Sequence, residues 1–115
     1  SASAYAWRSQ LEHGARLAFG SDAPVESPNP FWGLHAAVTR QRADGSPAGS
    51  GWYPEQRLKL GEALLGFTQG PAFTAGMEHN TGMLKAGFLA DLIVLEQNPF
   101  ECHPAELLQI NPAPR

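Results

Sequence analysis

The chain has 115 residues, which corresponds to about one domain and is short for an enzyme with a cleft of its own. Eight Lys and Arg residues against 11 Asp and Glu residues give a net charge of -3 with no basic block. This balance argues against nucleic acid and anionic membranes as partners. No apolar run approaches the roughly 20 residues of a bilayer span. The one cysteine, Cys102, excludes an internal disulfide and is typical of a reducing, cytoplasmic location.

The first third of the chain predicts a helix, a strand and a second helix. AYAWRSQLEHG has helical spacing and a stop signal at Gly14, which favours a short helix. ARLAFG is compact and apolar without polar alternation, so residues 16–20 are predicted to form a strand buried on both faces, as in parallel sheets. Asn29 is a good N-cap, and Pro30 follows it at the first helical position. A helix is therefore predicted over about 30–42.

The remainder predicts one broken helix and a pair of strands. LKLGEALLGFT begins a helix that spans about 60–76 and is interrupted at Gly70-Pro71. MLKAG and ADLIVLE are predicted strands joined through Gly87, and PAELLQI is a final turn or helix before a Pro-rich tail. ADGSPAGSGW is interpreted as a mobile surface loop.

A single buried parallel strand lacks a partner in this sequence. Parallel strands need neighbours on both sides and helices over both faces. We therefore expect the sheet to be completed by parts of a parent chain outside this sequence or by another copy in a homo-oligomer. If the true N-terminus is missing, the absence of a secretory signal is weak evidence about location.

Three segments carry a family resemblance: WRSQLEHGARLAFGSDAPVESPNPFWGLHAAVTRQ, EALLGFTQGPAFTAG and TGMLKAGFLADLIVLEQNPF. Together they resemble the C-terminal part of the amidohydrolase superfamily, of the amidohydrolase 3 type. The similarity covers roughly residues 5–108, and the segments stand in the family's order. GSD alone is a weak motif, whereas its combination with GxLKxGxxADLIVL is specific.

The resemblance implies an α/β fold, namely a fragment of a (β/α)₈ TIM barrel with strands of a small accompanying β-sandwich. Residues 1–81 would be the C-terminal part of the barrel, 82–98 part of the sandwich, and 99–115 a truncated helix or tail. On this basis ARLAFG resembles the eighth barrel strand. The resemblance also implies a small-molecule substrate and one or two divalent metals, usually zinc, at the C-terminal ends of the strands.

Asp22 is the main candidate for a catalytic and metal-binding residue. From the residues alone, SDAP favours a turn or cap, because Asp and Ser are common in turns. The resemblance instead matches Asp22 to the strand-eight aspartate, which typically binds metal and takes a proton from the attacking water. Ser21 has no GxSxG context, so a turn role is favoured over a nucleophile.

Other candidates are weaker. Glu26, Asn29 and Trp32 occupy the loop that would border the barrel mouth and are predicted to touch substrate, although Trp32 and Phe31 also suit helix anchoring. The histidines are not spaced as HxH or HExxH, so no local zinc pair is predicted from His13, His35, His79 and His103. His35 is interpreted as a packed or capping residue.

The sequence departs from the family by lacking the other metal ligands: the HxH pair, the bridging ligand and two further histidines. A catalytic zinc needs about three protein ligands, so this fragment is expected to hold no metal stably and to be inactive alone. For the parent we predict hydrolysis of non-peptide carbon-nitrogen bonds. Two alternatives stay open: a non-catalytic interaction or oligomerisation module, and a barrel esterase or lactonase.

Overall fold

The computed structural model describes residues 5–114, and its regular elements are short helices joined by long irregular segments. Four α-helices occur in chain order: α1 Trp7–Glu12, α2 Pro30–Thr39, α3 Leu60–Phe67 and α4 Gln69–Thr74. Short 3-10 helices cover Pro54–Gln56 and Pro104–Gln109. The longest helix in this described part has ten residues, about half the length of a bilayer crossing.

Helix α2 is the central element, and its ends follow from local sequence. The Asn29 side chain accepts a hydrogen bond of 3.0 Å from the Phe31 N–H, and Pro30 occupies the first helical position, as predicted. The helix ends at Arg40, whose backbone is left-handed with φ 58°. It is therefore shorter than the predicted 30–42, because the turn at Arg40 stops the hydrogen-bond ladder.

The core lies on one side of α2. Phe31, Leu34 and Ala37 of this helix are buried against α3 and the C-terminal 3-10 helix. The other buried apolar side chains of this cluster are Leu58, Ala63, Leu107 and Ile110. The C-terminal segment is thus needed to cover the main helix.

Residues 15–21 are extended, but they do not form the predicted strand. The Phe19 N–H donates a 2.8 Å hydrogen bond to Gly66 O of α3, and no strand is paired with this segment within residues 5–114. Leu17 and Phe19 are partly buried while Arg16 and Ala18 are exposed, so burial on both faces is also not found. A strand requires a neighbouring backbone, and here a helix takes that place.

Two glycines allow this close approach to the helices. A Cβ added at Gly66 would lie 2.5 Å from Cδ2 of Phe19, and one at Gly70 would collide with the Leu17 carbonyl. The helix predicted over 60–76 is broken at Thr68 rather than at Gly70-Pro71. Pro71 lies in the first turn of α4, where a proline costs no helical hydrogen bond.

The predicted strands in 82–98 are also not formed as a pair. In this region the described chain has one antiparallel bridge, between Leu95 and Pro112, flanked by a 2.7 Å hydrogen bond from Ala113 N–H to Val94 O. MLKAG and ADLIVLE do not pair with each other, and Leu84, Ile93 and Val94 are more than half exposed. Strands of this composition need a second sheet to cover them. Their place in a sandwich stays a prediction.

An ion pair fixes α1 against α3. The Arg8 guanidinium donates to both carboxylate oxygens of Glu62, at 2.9 Å for Nη1 to Oε2, and its Nε donates to Arg57 O. Glu62 Oε1 also accepts from the Lys59 N–H at 2.8 Å, which caps the first turn of α3. These hydrogen bonds, chiefly that of Arg8, lower the pKa of the Glu62 carboxyl.

We expect Glu62→Gln to destabilise the fold by about 1 kcal/mol, since the pair is only partly buried. Because the folded pKa of Glu62 is lowered, its stabilisation is present above about pH 4.5 and is lost as the pH falls through the folded value. Between pH 7 and a pH below 4.5, Glu62→Gln should therefore lose less stability than the unmodified protein loses. Thermal melting at pH 7 and below pH 4.5 tests this, with exposed Glu101→Gln as the control; equal acid sensitivity of both variants would contradict it.

Candidate functional site

Asp22 follows directly on the extended segment and is presented by a tight turn. Its backbone is left-handed with φ 54°, a conformation that Asp tolerates better than most residues. The turn is closed by a 2.9 Å hydrogen bond from Val25 N–H to Asp22 O, and Ser21 Oγ accepts from the Ala23 N–H at 3.3 Å. Ser21 thus has the turn role predicted from the sequence. The Asp22 side chain is exposed, and within residues 5–114 no hydrogen bond engages its carboxylate.

A cleft of about 720 Å³ opens beside this turn. Gly20 and Ser21 line it, and so do three predicted binding residues: Glu26, Asn29 and Trp32. Asp22 itself is not part of the lining. The structure therefore brings Glu26, Asn29 and Trp32 to one cleft, whereas Asp22 follows the lining residue Ser21 in the chain and is not itself in the lining.

The three predicted binding residues differ in whether their side chains already take part in contacts within the protein. Asn29 is occupied as the cap of α2, while its own N–H donates to Ser27 Oγ at 3.2 Å. Trp32 is 44% exposed on the side of α2 that faces away from the core. Glu26 is exposed. Trp32 and Glu26 are thus the members that a bound molecule can reach without breaking a contact.

The opposite wall is the loop after α2, formed by Gln41 to Asp44. Asp44 Oδ1 accepts from the Ser46 N–H at 2.9 Å and from Ser46 Oγ at 2.6 Å, and these bonds lower the pKa of the Asp44 carboxyl. The Arg42 N–H donates to Ser46 O at 2.8 Å. The loop predicted to be a mobile excursion therefore has an internal hydrogen-bond network that shapes one side of the cleft.

Arg40 attaches this loop to the rest of the fold. The residue is buried, with 5% exposure, and its guanidinium lies over Trp7 and Trp52 at 4.8 and 4.9 Å from the ring centres. It donates to Trp52 O at 2.8 Å and to Tyr5 O at 2.6 Å. Burial lowers the pKa of Arg40, and the Glu55 carboxylate acts against this shift. The wall of the cleft is thus fixed to the N-terminal segment.

Sequence reasoning missed part of this site. Phe67 lines the cleft from α3, and Arg42 and Asp44 line it from the loop. The sequence predicts a helix at Phe67 but not the cleft position of its ring, because the approach to α2 is a tertiary contact between residues far apart in sequence. The signal for it was Gly33, whose lack of a side chain leaves room for the Phe67 ring.

The described residues do not form a metal centre by themselves. Within residues 5–114 no three His, Cys, Asp or Glu side chains lie close enough together to bind one ion. His35 is buried with 3% exposure, as predicted for a packed residue, and burial lowers the pKa of its ring. The remaining histidines are exposed, at positions 13, 79 and 103. Asp22 would contribute at most one ligand.

Comparisons with known proteins support the resemblance in the sequence. A family model described as "Amidohydrolase family" matches residues 1–113. Putative amidohydrolase YtcJ from Bacillus subtilis is 34% identical over 104 residues, covering 90% of this chain and 20% of that protein. N-substituted formamide deformylase from Arthrobacter pascens is 32% identical over 103 residues, covering 90% and 18% respectively. Protein LONG AFTER FAR-RED 3 from Arabidopsis thaliana is 35% identical over 97 residues, covering 84% and 16%.

The chain spans about a fifth of the length of these relatives. No solved structure matched it. The predicted resemblance to the amidohydrolases is confirmed by the family match and by these relatives.

Replacing Arg40 by Lys should loosen the cleft wall. Lysine has no planar group to lie between two indoles and cannot donate to both carbonyls in the same geometry, so about 2 kcal/mol of stability should be lost. Thermal melting measures this loss, and trypsin cleavage after Arg42 should become faster. The matched control is Arg42→Lys, which changes an exposed residue. Equal melting temperatures for Arg40→Lys and the unmodified protein would contradict the role of Arg40.

Proposed function

Because this chain belongs to the amidohydrolase family, we propose that it is part of a larger hydrolase that cleaves non-peptide carbon-nitrogen bonds. The observation that supports this most is the Asp22 turn, in which a free carboxylate stands at the end of an extended segment beside a cleft. In barrel enzymes the reacting groups lie at the C-terminal ends of strands. We propose that residues 16–20 become the eighth strand of a TIM barrel in the whole protein.

Asp22 acts as the proton carrier in this proposal. As water adds to the substrate carbonyl or amidine carbon, the carboxylate accepts a proton from the water and forms the new O–H bond. It then gives this proton to the substrate nitrogen, the carbon-nitrogen bond breaks, and the amine leaves. A carboxylate suits both steps because its oxygens can accept and release a proton and the aspartate side chain is short.

The family also implies one or two divalent metals, with zinc as the expected ion. A divalent ion would supply Lewis-acid activation of water. The residues described here do not fit a complete metal site, since a catalytic zinc needs about three protein ligands and Asp22 offers one carboxylate. We propose that the other ligands belong to parts of the protein outside this sequence, and that the chain alone is inactive.

Exposed apolar residues support the proposal of a larger assembly. Leu84, Leu89, Leu92, Ile93 and Val94 are each more than half exposed in one short segment. Large apolar side chains exposed in this number within one segment are typical of a surface that another part of a protein covers. We propose that the remaining parts of the same chain, as a β-sandwich with this segment, cover it. A second copy in a homo-oligomer is the other way to bury it.

The test is Asp22→Asn in the full-length protein. Amide or formamide hydrolysis, followed as released amine, should fall by two to four orders of magnitude in kcat, because the proton acceptor is lost. The circular dichroism spectrum and melting temperature should stay unchanged, since the side chain is exposed and asparagine also tolerates a positive φ. The matched control is Asp91→Asn, an exposed aspartate in ADLIVL. Near-normal turnover of Asp22→Asn would refute the proposal.

A further inference from the structure

The cleft beside the Asp22 turn has an apolar floor. Trp32 and Ala36 lie about one turn apart on α2 and line it together with Phe67 from α3. Trp32 presents 44% of its surface to solvent there, although large aromatic rings are usually covered. The volume of about 720 Å³ is in the range of pockets that bind small molecules.

Gly33 sets how far Phe67 reaches into this floor. A Cβ at Gly33 would lie 2.5 Å from Cζ of Phe67, so any side chain there would displace the ring. On its other side the Phe67 ring contacts the Phe19 ring, with 5.4 Å between centroids. Phe67 is thus held between the extended segment and α2, which makes the floor a fixed surface.

Polar and charged residues also line the cleft. Glu26 stands on the loop before α2, and Arg42 and Asp44 stand on the loop after it. The Asp44 carboxylate already accepts a hydrogen bond from Ser46 Oγ. The positive charge of Arg42 also lowers the pKa of the Asp44 carboxyl. The lining therefore combines charged side chains of the two loops with aromatic and small side chains of α2 and α3.

We propose that this floor, formed by Trp32, Gly33 and Phe67, is a specificity subsite for an aromatic or branched aliphatic substituent next to the reacting carbonyl group. The inference rests on the proposed function, because it takes Asp22 as the reacting end of the substrate. Gly20 and Ser21, which directly precede Asp22, line the same cleft as Trp32 and Gly33, so a molecule with its carbonyl at Asp22 could place its substituent against α2. An offset or edge-to-face contact with the indole would favour an aromatic ring.

Two ketones test the subsite without any hydrolysis, because they contain a carbonyl group but no carbon-nitrogen bond. The probes are 4-phenylbutan-2-one and 2-butanone, which differ by one phenyl group. Their dissociation constants for the full-length protein, measured by ligand-observed NMR titration, should differ by about tenfold or more in favour of the phenyl compound. Trp32→Ala should reduce this ratio about tenfold, and Trp32→Phe should restore most of it.

Gly33→Ala should also lower the ratio, since the new methyl group moves the Phe67 ring. The matched control is Phe100→Ala, which removes an exposed aromatic ring outside the cleft and should leave the ratio unchanged. If Trp32→Ala binds both ketones with the unmodified ratio, the subsite does not exist. Loss of turnover in Asp22→Asn with an unchanged ratio in Trp32→Ala would overturn the subsite alone. Near-normal turnover of Asp22→Asn with a reduced ratio in Trp32→Ala would overturn the proton-carrier role of Asp22 and leave the aromatic binding surface standing.

Discussion

The buried Arg40 guanidinium joins three segments that are distant in the sequence. It lies between Trp7 and Trp52, and it donates to the carbonyls of Trp52 and Tyr5. A buried charge is costly unless it is hydrogen-bonded, and two carbonyl acceptors with two aromatic faces offset that cost. Because Arg40 also ends α2, the same residue decides where the helix stops and where the following loop begins.

The cleft depends on this arrangement. One of its walls starts directly after Arg40, and another consists of the side of α2 that the core does not use. Gly51 with φ 91° completes the contact, since a Cβ there would collide with the Thr39 carbonyl. The loop is thus packed onto the end of α2, and Arg42 and Asp44 are carried to the mouth of the cleft. Core packing on one face of the helix and an open cleft on the other are therefore compatible in one short element.

The sequence predicted the features that are encoded locally. Asn29 and Pro30 predicted the start of α2, because a cap and a proline act within one turn of the chain. The turn at Asp22 followed from its own residues and its neighbours. The family was recognisable from motifs spread over most of the chain, and the family match confirmed it.

Features that depend on distant partners were not predictable in the same way. Residues 16–20 have the composition of a buried strand, yet within residues 5–114 they lie against a helix at Gly66. ADLIVLE likewise has strand composition but is largely exposed. Among residues 5–114, residues 16–20 have no neighbouring strand and ADLIVLE has only the single bridge from Leu95 to Pro112, so composition alone could not determine their state. Phe67 in the cleft was missed for a related reason, because only packing against Gly33 brings it there.

The central claim is that Asp22 belongs to an active site whose other groups lie elsewhere in the protein. The most direct measurement is a crystal structure of the full-length protein grown with zinc, with diffraction recorded at the zinc absorption edge. The account predicts an anomalous peak about 2.0 to 2.2 Å from an Asp22 carboxylate oxygen, at the end of the cleft beside Ser21. A zinc peak held by other residues, with the Asp22 carboxylate facing bulk solvent, would contradict it.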